Sequence, residues 1–226
     1  MKKLVFVILF VPTFFFGASA VERLTSGLDI LKELANIPDS GAFIDLLRQA
    51  EGIAVYPSLF KVGIFAIGGQ YGEGFVFRRD PVSGEWFGPI FTKLTGLSLG
   101  PQIGVQNVGL VLVLMNRKAV EAFASGSVTL GGSVSVAAGP LGRTLAADTD
   151  YKMQASVYSY SVSKGFFAGL SLQGSIIQVD EEANKDFYGK SVSALEIINN
   201  VKPTRKEAVE ITKFLNSLIY LTPPEV

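Results

Sequence analysis

The sequence predicts an α+β fold: a glycine-rich, strongly curved antiparallel β-sheet or barrel-like body, flanked by N- and C-terminal amphipathic helices. Two observations predict it. Apolar residues recur at helical spacing near both ends of the 226-residue chain and at strand spacing between them. That order suits α+β better than an alternating α/β protein. Of 24 glycines, all but Gly17, Gly27, Gly41 and Gly189 lie between Gly52 and Gly174, inside β-prone segments. Glycine weakens a strand by removing side-chain packing, so its recurrence signals bulges, bends, or close approach of another backbone or a ligand.

The elements follow in order. Met1-Lys2-Lys3, the apolar run Leu4 to Phe16 and the small-residue pattern Ala18-Ser19-Ala20 read as a secretory signal peptide over residues 1–20, cut before Val21. The run is short for a membrane-spanning helix. An N-terminal helical segment is expected over 21–50. Its first helix, Glu22 to Asn36, carries Leu24, Leu28, Leu31 and Leu34 as one stripe, weakened by Gly27 and ended at Ile37-Pro38. Asp39 or Ser40 caps a second helix to about Gln49, with Phe43, Ile44 and Leu47 inward.

The β body spans 51–190. Strands are expected at Ile53 to Tyr56, where Pro57 stops the first, and at Val62 to Gly68 and Gly74 to Arg78. A turn at Arg79 to Gly84 leads to a strand over Trp86–Phe91. Further strands run from Leu97 to Gln106 and Val108 to Met115, then from Val128 to Ala138, Tyr151 to Val162, Phe166 to Leu172 and Ser175 to Val179. Asn116 caps an intervening helix. C-terminal helices occupy 191–226. Thr204 and Glu207 form a capping box, and Ala208, Ile211, Leu215, Leu218 and Ile219 make the apolar face behind it.

Composition narrows the chemistry. The chain has no cysteine and no histidine, which removes disulfides, lipoprotein attachment, thiol nucleophiles, histidine triads and ordinary zinc sites. Without Lys2 and Lys3 the acidic residues exceed the basic by two, so no basic surplus points to nucleic acid. Phe187-Tyr188-Gly189-Lys190-Ser191 ends like a phosphate loop, but Asn184 stands where its first glycine belongs. Asp180, Glu182, Asn184 and Asp186 alternate as calcium ligands do, yet Lys185 and Ser191 replace the loop's glycine and final glutamate. A capped helix start explains those acids better. Ser58-Leu59-Phe60-Lys61 and Ser161-Val162-Ser163-Lys164 match an acyl-enzyme pattern without its companion motifs. Glu73 and Glu85 are a carboxylate pair of unknown separation. Tyr151, Tyr158, Tyr160, Phe166 and Phe167 fit core packing or a groove.

Several stretches together carry a family resemblance from about Leu31 to Asn200. They are Gly52 to Pro57, Lys61-Val62-Gly63, Gly68 to Gly74, Gly100 to Gly104, Lys164 to Gly174, and Asn184 to Gly189. They resemble the SYLF domain, the lipid-binding domain of eukaryotic endocytic adaptors that also occurs in exported bacterial proteins. The resemblance implies a non-catalytic protein without cofactor or metal, binding anionic phospholipid partly through an N-terminal amphipathic helix. Carried over, it makes Lys61 and Lys164 headgroup contacts, and Leu24, Leu28 and Leu31 insertion residues. With a signal peptide it implies a periplasmic or secreted protein whose partner is an anionic membrane surface, phosphatidylglycerol or cardiolipin before inositol lipids. Neither nucleotide, nucleic acid nor actin is an expected partner. Glu51 stands where the family often has a basic residue, and the mature chain is slightly acidic, both of which weigh against strong electrostatic attachment. Three rivals stay open: an envelope protein-interaction module, an outer-membrane β-barrel, and a carboxylate-dependent hydrolase.

Overall fold

A computed structural model describes residues 17–37, 40–64, 67–99, 104–140, 155–162 and 172–220. Helix α1 (Ala20–Ala35) and α2 (Gly41–Gln49) precede four long strands, β1 (Gly52–Ile64), β2 (Ile67–Arg79), β3 (Trp86–Leu99) and β4 (Gly104–Leu114). Helix α3 (Arg117–Ala124) follows, then the short strands β5 (Ser127–Thr129), β6 (Val136–Ala138), β7 (Val157–Val162) and β8 (Ile176–Val179). Helices α4 (Glu181–Tyr188), α5 (Ala194–Asn200) and α6 (Lys206–Tyr220) end the described chain.

The eight strands form one curled sheet in the order β5-β8-β3-β2-β1-β4-β7-β6, antiparallel except for β6 with β7. The α+β expectation holds, with helices on both faces. The stretches Ile53 to Tyr56 of β1 and Val108 to Leu114 of β4 read as apolar because each face meets a core. Ile53, Val55, Val111 and Val113 face α1, α2, α4 and α6, while Ala54, Tyr56, Leu110, Leu112 and Leu114 face α3 and α5. A membrane barrel needs a closed sheet with a lipid-facing exterior. Here β5 and β6 are open edges among the described residues, and helices cover both faces, so the fold is not that barrel.

Pro57 does not end β1. The strand passes through it with a register shift between Val55 and Ser58 against β2 and between Tyr56 and Leu59 against β4. A bulge tolerates a residue with no N–H to donate. The strand expected over Leu97 to Gln106 is two strands, β3 and β4, and the one expected over Val128 to Ala138 is β5 and β6.

Helix α1 begins earlier than its apolar stripe suggests. Ser19 caps it, accepting from the Glu22 N–H, and the Glu22 carboxylate accepts from the Ser19 N–H, a complete capping box. Leu24, Leu31 and Leu34 are buried on the sheet. Gly27 is the point of closest approach: a Cβ there would lie 2.4 Å from Phe75 Cε1. The glycine that weakens the helix is what lets it seat.

Candidate binding site

Helices α1, α2, α4 and α6 cover only part of their face of the sheet. Toward the ends of the long strands no helix among the described residues covers that face. In antiparallel pairing, directly opposed residues point to the same side. Val105 opposes Val62, Val62 opposes Gly69, and Gly69 opposes Leu97, giving one row across four strands. Leu97 is 73% exposed, Val105 69% and Val62 50%. The adjacent row runs Asn107, Phe60, Tyr71, Thr95 and Ile176. Tyr71 and Ile176 are also exposed. Gly69 contributes no side chain, and a Cβ there would meet nothing within 4 Å. The result is a furrow with Val62 and Leu97 as walls, part of an open groove of about 1110 Å³.

The next row inward, Ser58, Glu73, Lys93 and Gln178, turns polar. There the first turn of α1 closes the groove. Arg23, 5% exposed, donates to Asp180 at 2.9 Å and contacts Glu73 at 3.1 Å, and its Nε donates to the Ala18 carbonyl at 2.9 Å. Lys93 reaches Asp180 at 3.0 Å. Tyr71 and the Ala18 N–H both donate to Glu73. Burial pushes the Asp180 carboxyl up, but hydrogen bonds from Lys93, Arg23 and the Ala183 N–H outweigh it and hold the group below the ordinary carboxylate range. Burial, then the Glu73 hydrogen bond and charge, push the Tyr71 hydroxyl up. The cluster holds two cations and two carboxylates in mutual contact, so it is charge-balanced.

The residues expected to bind lipid are not brought together. Leu24 and Leu31 are wholly buried and Leu28 half-buried, so α1 presents its stripe to the protein. Lys61 pairs with Gln70 and Gln106 on the opposite face of the sheet, where burial lowers its pKa. Lys164 lies outside the described residues. Sequence reasoning missed Val62, Gly69, Leu97 and Val105. Alternation in Phe60-Lys61-Val62 hints at two faces, but only the register aligns Val62 with Gly69 and Leu97.

The other motifs resolve structurally. Asp180 caps α4 through the Ala183 N–H, and Asn184 accepts from the Phe91 N–H while donating to the Phe91 and Asp180 carbonyls. The calcium-like alternation is therefore a capped helix, and no cluster of three metal-binding side chains occurs among the described residues. Gly189 ends α4 at φ 69°, which puts the phosphate-loop-like stretch at a helix C-terminus, the end that repels anions. Ser58 and Lys61 point to opposite faces of β1. Glu73 sits within the groove, whereas Glu85 pairs with Lys202 beyond the far end of the β2–β3 hairpin. Tyr158 and Tyr160 are buried, Tyr160 edge-on to Phe43. Tyr151, Phe166 and Phe167 lie outside the described residues.

Residues 95–218 match the family described as Ysc84, Las17-binding protein actin regulator. The chain is 37% identical over 194 residues to the SH3 domain-containing YSC84-like protein 1 of Rattus norvegicus, covering 83% of this chain and 56% of that protein. The Xenopus laevis protein of the same name is 40% identical over 197 residues, covering 83% and 57%. LAS seventeen-binding protein 3 of Saccharomyces cerevisiae is 39% identical over 158 residues, covering 69% of this chain and 34% of its own length. The chain thus spans about half the length of the animal relatives and a third of the yeast one.

Proposed function

The chain belongs to the Ysc84/SYLF family, and from that premise we propose that it is a non-catalytic module that binds anionic phospholipid membranes with the bare end of its sheet. The observation that carries this reading is the exposed row of Val62, Leu97 and Val105 around Gly69. A contiguous apolar patch rimmed by polar groups marks a membrane or protein interaction surface. The apolar run and cleavage pattern before Val21 support export, and so a periplasmic or secreted setting; cutting there removes the Ser19 cap of α1 and the Ala18 contacts with Glu73 and Arg23.

In this reading α1 is not the first element to touch lipid. Its Leu24 and Leu31 serve the core, so their insertion requires undocking, against the Arg23 contacts with Glu73 and Asp180. Lys61 stands at the same end of the sheet but is 4% exposed, so headgroup contact through it requires local opening. Lys164 is proposed as the second headgroup cation. A protein partner is the rival reading, favoured by the yeast relative's name as a binder of LAS seventeen.

Co-sedimentation tests this with phosphatidylglycerol and phosphatidylcholine vesicles at two salt concentrations. The expected result is pelleting with the anionic vesicles, weakened by salt and by Leu97→Ser with Val105→Ser. Equal failure to pellet with either vesicle, together with stoichiometric capture of an envelope protein, overturns it in favour of the rival.

A further inference from the structure

We propose that cutting the chain before Val21 unlatches the first turn of α1 and frees Leu24 for the membrane, so that removal of the leader arms lipid binding. The inference rests on the export and anionic-lipid readings above and adds the step that regulates them. Residues 18–20 carry two roles that conflict. In the sequence they end a cleavage pattern, and in the fold they are structure. The Ala18 N–H donates to Glu73 at 2.9 Å, and the Ala18 carbonyl accepts from Arg23 Nε at 2.9 Å. The Ser19 hydroxyl accepts from the Glu22 N–H, and the Ser19 carbonyl accepts from the Arg23 N–H at 3.0 Å. Gly17 packs on Glu73 so closely that a Cβ there would lie 2.7 Å from Oε1. Gly17 and Ala18 line both the groove and a neighbouring cleft of about 550 Å³, which Lys93 and Arg205 also line. They stand between the two.

The cut acts on one turn. It takes away the cap, the acceptors of the Arg23 N–H and Nε, and the wall beside Glu73. It leaves an ammonium on Val21, at the end of α1 whose dipole is already positive and two residues from Arg23. An uncapped first turn with an added cation is less stable than the capped one. What still holds it is the Arg23 guanidinium, 2.9 Å from Asp180 and 3.1 Å from Glu73. Both carboxylates keep another partner when Arg23 leaves, Lys93 on Asp180 and Tyr71 on Glu73. Directly behind Arg23 comes Leu24, wholly buried and the member of the apolar stripe nearest the cut. The opening stops at about Gly27, where the helix seats on Phe75, so Leu31 and Leu34 stay in the core.

The test takes the full chain in detergent micelles and cuts part of the sample in place with signal peptidase, mass spectrometry checking that Val21 is the new first residue. The chain has no cysteine, so Leu24→Cys and Leu34→Cys variants each carry a single thiol. The cut is expected to speed maleimide labelling of the Leu24→Cys thiol by about tenfold and to leave that of Leu34→Cys within about twofold. Ser19→Ala in the uncut chain removes the cap alone and is expected to speed labelling of Leu24→Cys by about fivefold. Hydrogen exchange on the unsubstituted chain covers the case in which a cysteine variant does not fold. It is read at the amides of Thr25 and Ser26, whose helical acceptors, Val21 and Glu22, survive the cut, and about tenfold faster exchange is expected. Equal labelling and exchange before and after the cut overturn the proposal. Equal acceleration at Leu34→Cys overturns it too, since the whole helix would then loosen. An exported protein that does not begin at Val21 overturns the export reading and this proposal together. Pelleting with phosphatidylglycerol vesicles by a cut chain whose Leu24→Cys thiol stays protected keeps the surface reading and overturns the latch alone.

Discussion

Replacing Gly27 by alanine sets two effects of known sign against each other. In an exposed helix the change stabilises by about 1 kcal/mol, because glycine has more backbone freedom to lose. In α1 the new methyl would lie 2.4 and 2.5 Å from Cε1 and Cζ of Phe75, with Val55 Cγ1 at 3.4 Å. Favourable carbon contacts begin near ~3.5 Å. Phe75 has little room to yield, since it is fully buried and stands edge-on to Phe77 with ring centroids 5.7 Å apart. Overpacking a tight core costs about 1–3 kcal/mol. The crowding involves two ring atoms of a pinned aromatic, which places it near the top of that range, so the net expectation is a loss of about 1–2 kcal/mol. Urea unfolding measures it, with an unchanged m-value confirming that the states compared are the same. The same substitution in a Phe75→Leu background should regain stability, giving a coupling energy of about 1 kcal/mol or more. A Gly27→Ala protein about 1 kcal/mol more stable than wild type would refute the reasoning. It would mean that α1 is not seated on Phe75 in solution and that its leucines are free for other work.

Three further outcomes follow from the same contacts. Arg23→Met leaves Asp180 buried with Lys93 as its remaining cation, and is expected to cost about 3–5 kcal/mol in urea unfolding, the range for breaking a buried pair. The Asp180 carboxyl titrates in the folded protein below its unfolded value of about 3.9. Its stabilisation is therefore complete above roughly pH 4 and is lost as pH falls through the folded value, so wild type should lose more stability than Asp180→Asn between about pH 5 and pH 2. Asn184→Ala deprives the Phe91 N–H and C=O of their side-chain partner, and is expected to lower stability by about 1–3 kcal/mol.

The helices were legible because their signals are local. The stripe from Leu24 to Leu34, the Asn116 cap and the apolar face from Ala208 to Ile219 each lie within a few turns of chain, and each is found where expected. The cap of α1 was not, because Ser19 stands before the predicted cleavage point and reads as part of a leader. Pro57 misled for a different reason. A missing N–H ends a strand only where the ladder needs it, and a bulge removes that need. The site was illegible because it is made by pairing. Arg23 meets Asp180 across 157 positions of sequence, and Gly69 becomes a furrow floor only when Val62 and Leu97 arrive beside it. Glycine in a strand announces that something approaches or is left open, and does not say which. Gly27 and Gly69 are one of each.

The width of the sheet tapers. The long strands, of 11 to 14 residues, pair with one another, and the described sheet ends at each side on a strand of three residues, β5 and β6. Beside the patch, β3 pairs β8 only from Thr92 to Thr95 and β4 pairs β7 only from Gly109 to Leu114, which leaves residues 96–99 and 104–108 without an outer strand among the described residues. A long bare strand edge is a template on which other chains polymerise, and shortening the edge is one of the ways proteins deny it. This molecule already carries an uncovered apolar patch, which crowding would turn toward any neighbour. Two copies meeting at that patch find edges of only four and five residues there among the described residues, little backbone with which to convert a passing collision into a growing fibre. The taper lets a sticky surface be kept in service without making the protein a seed.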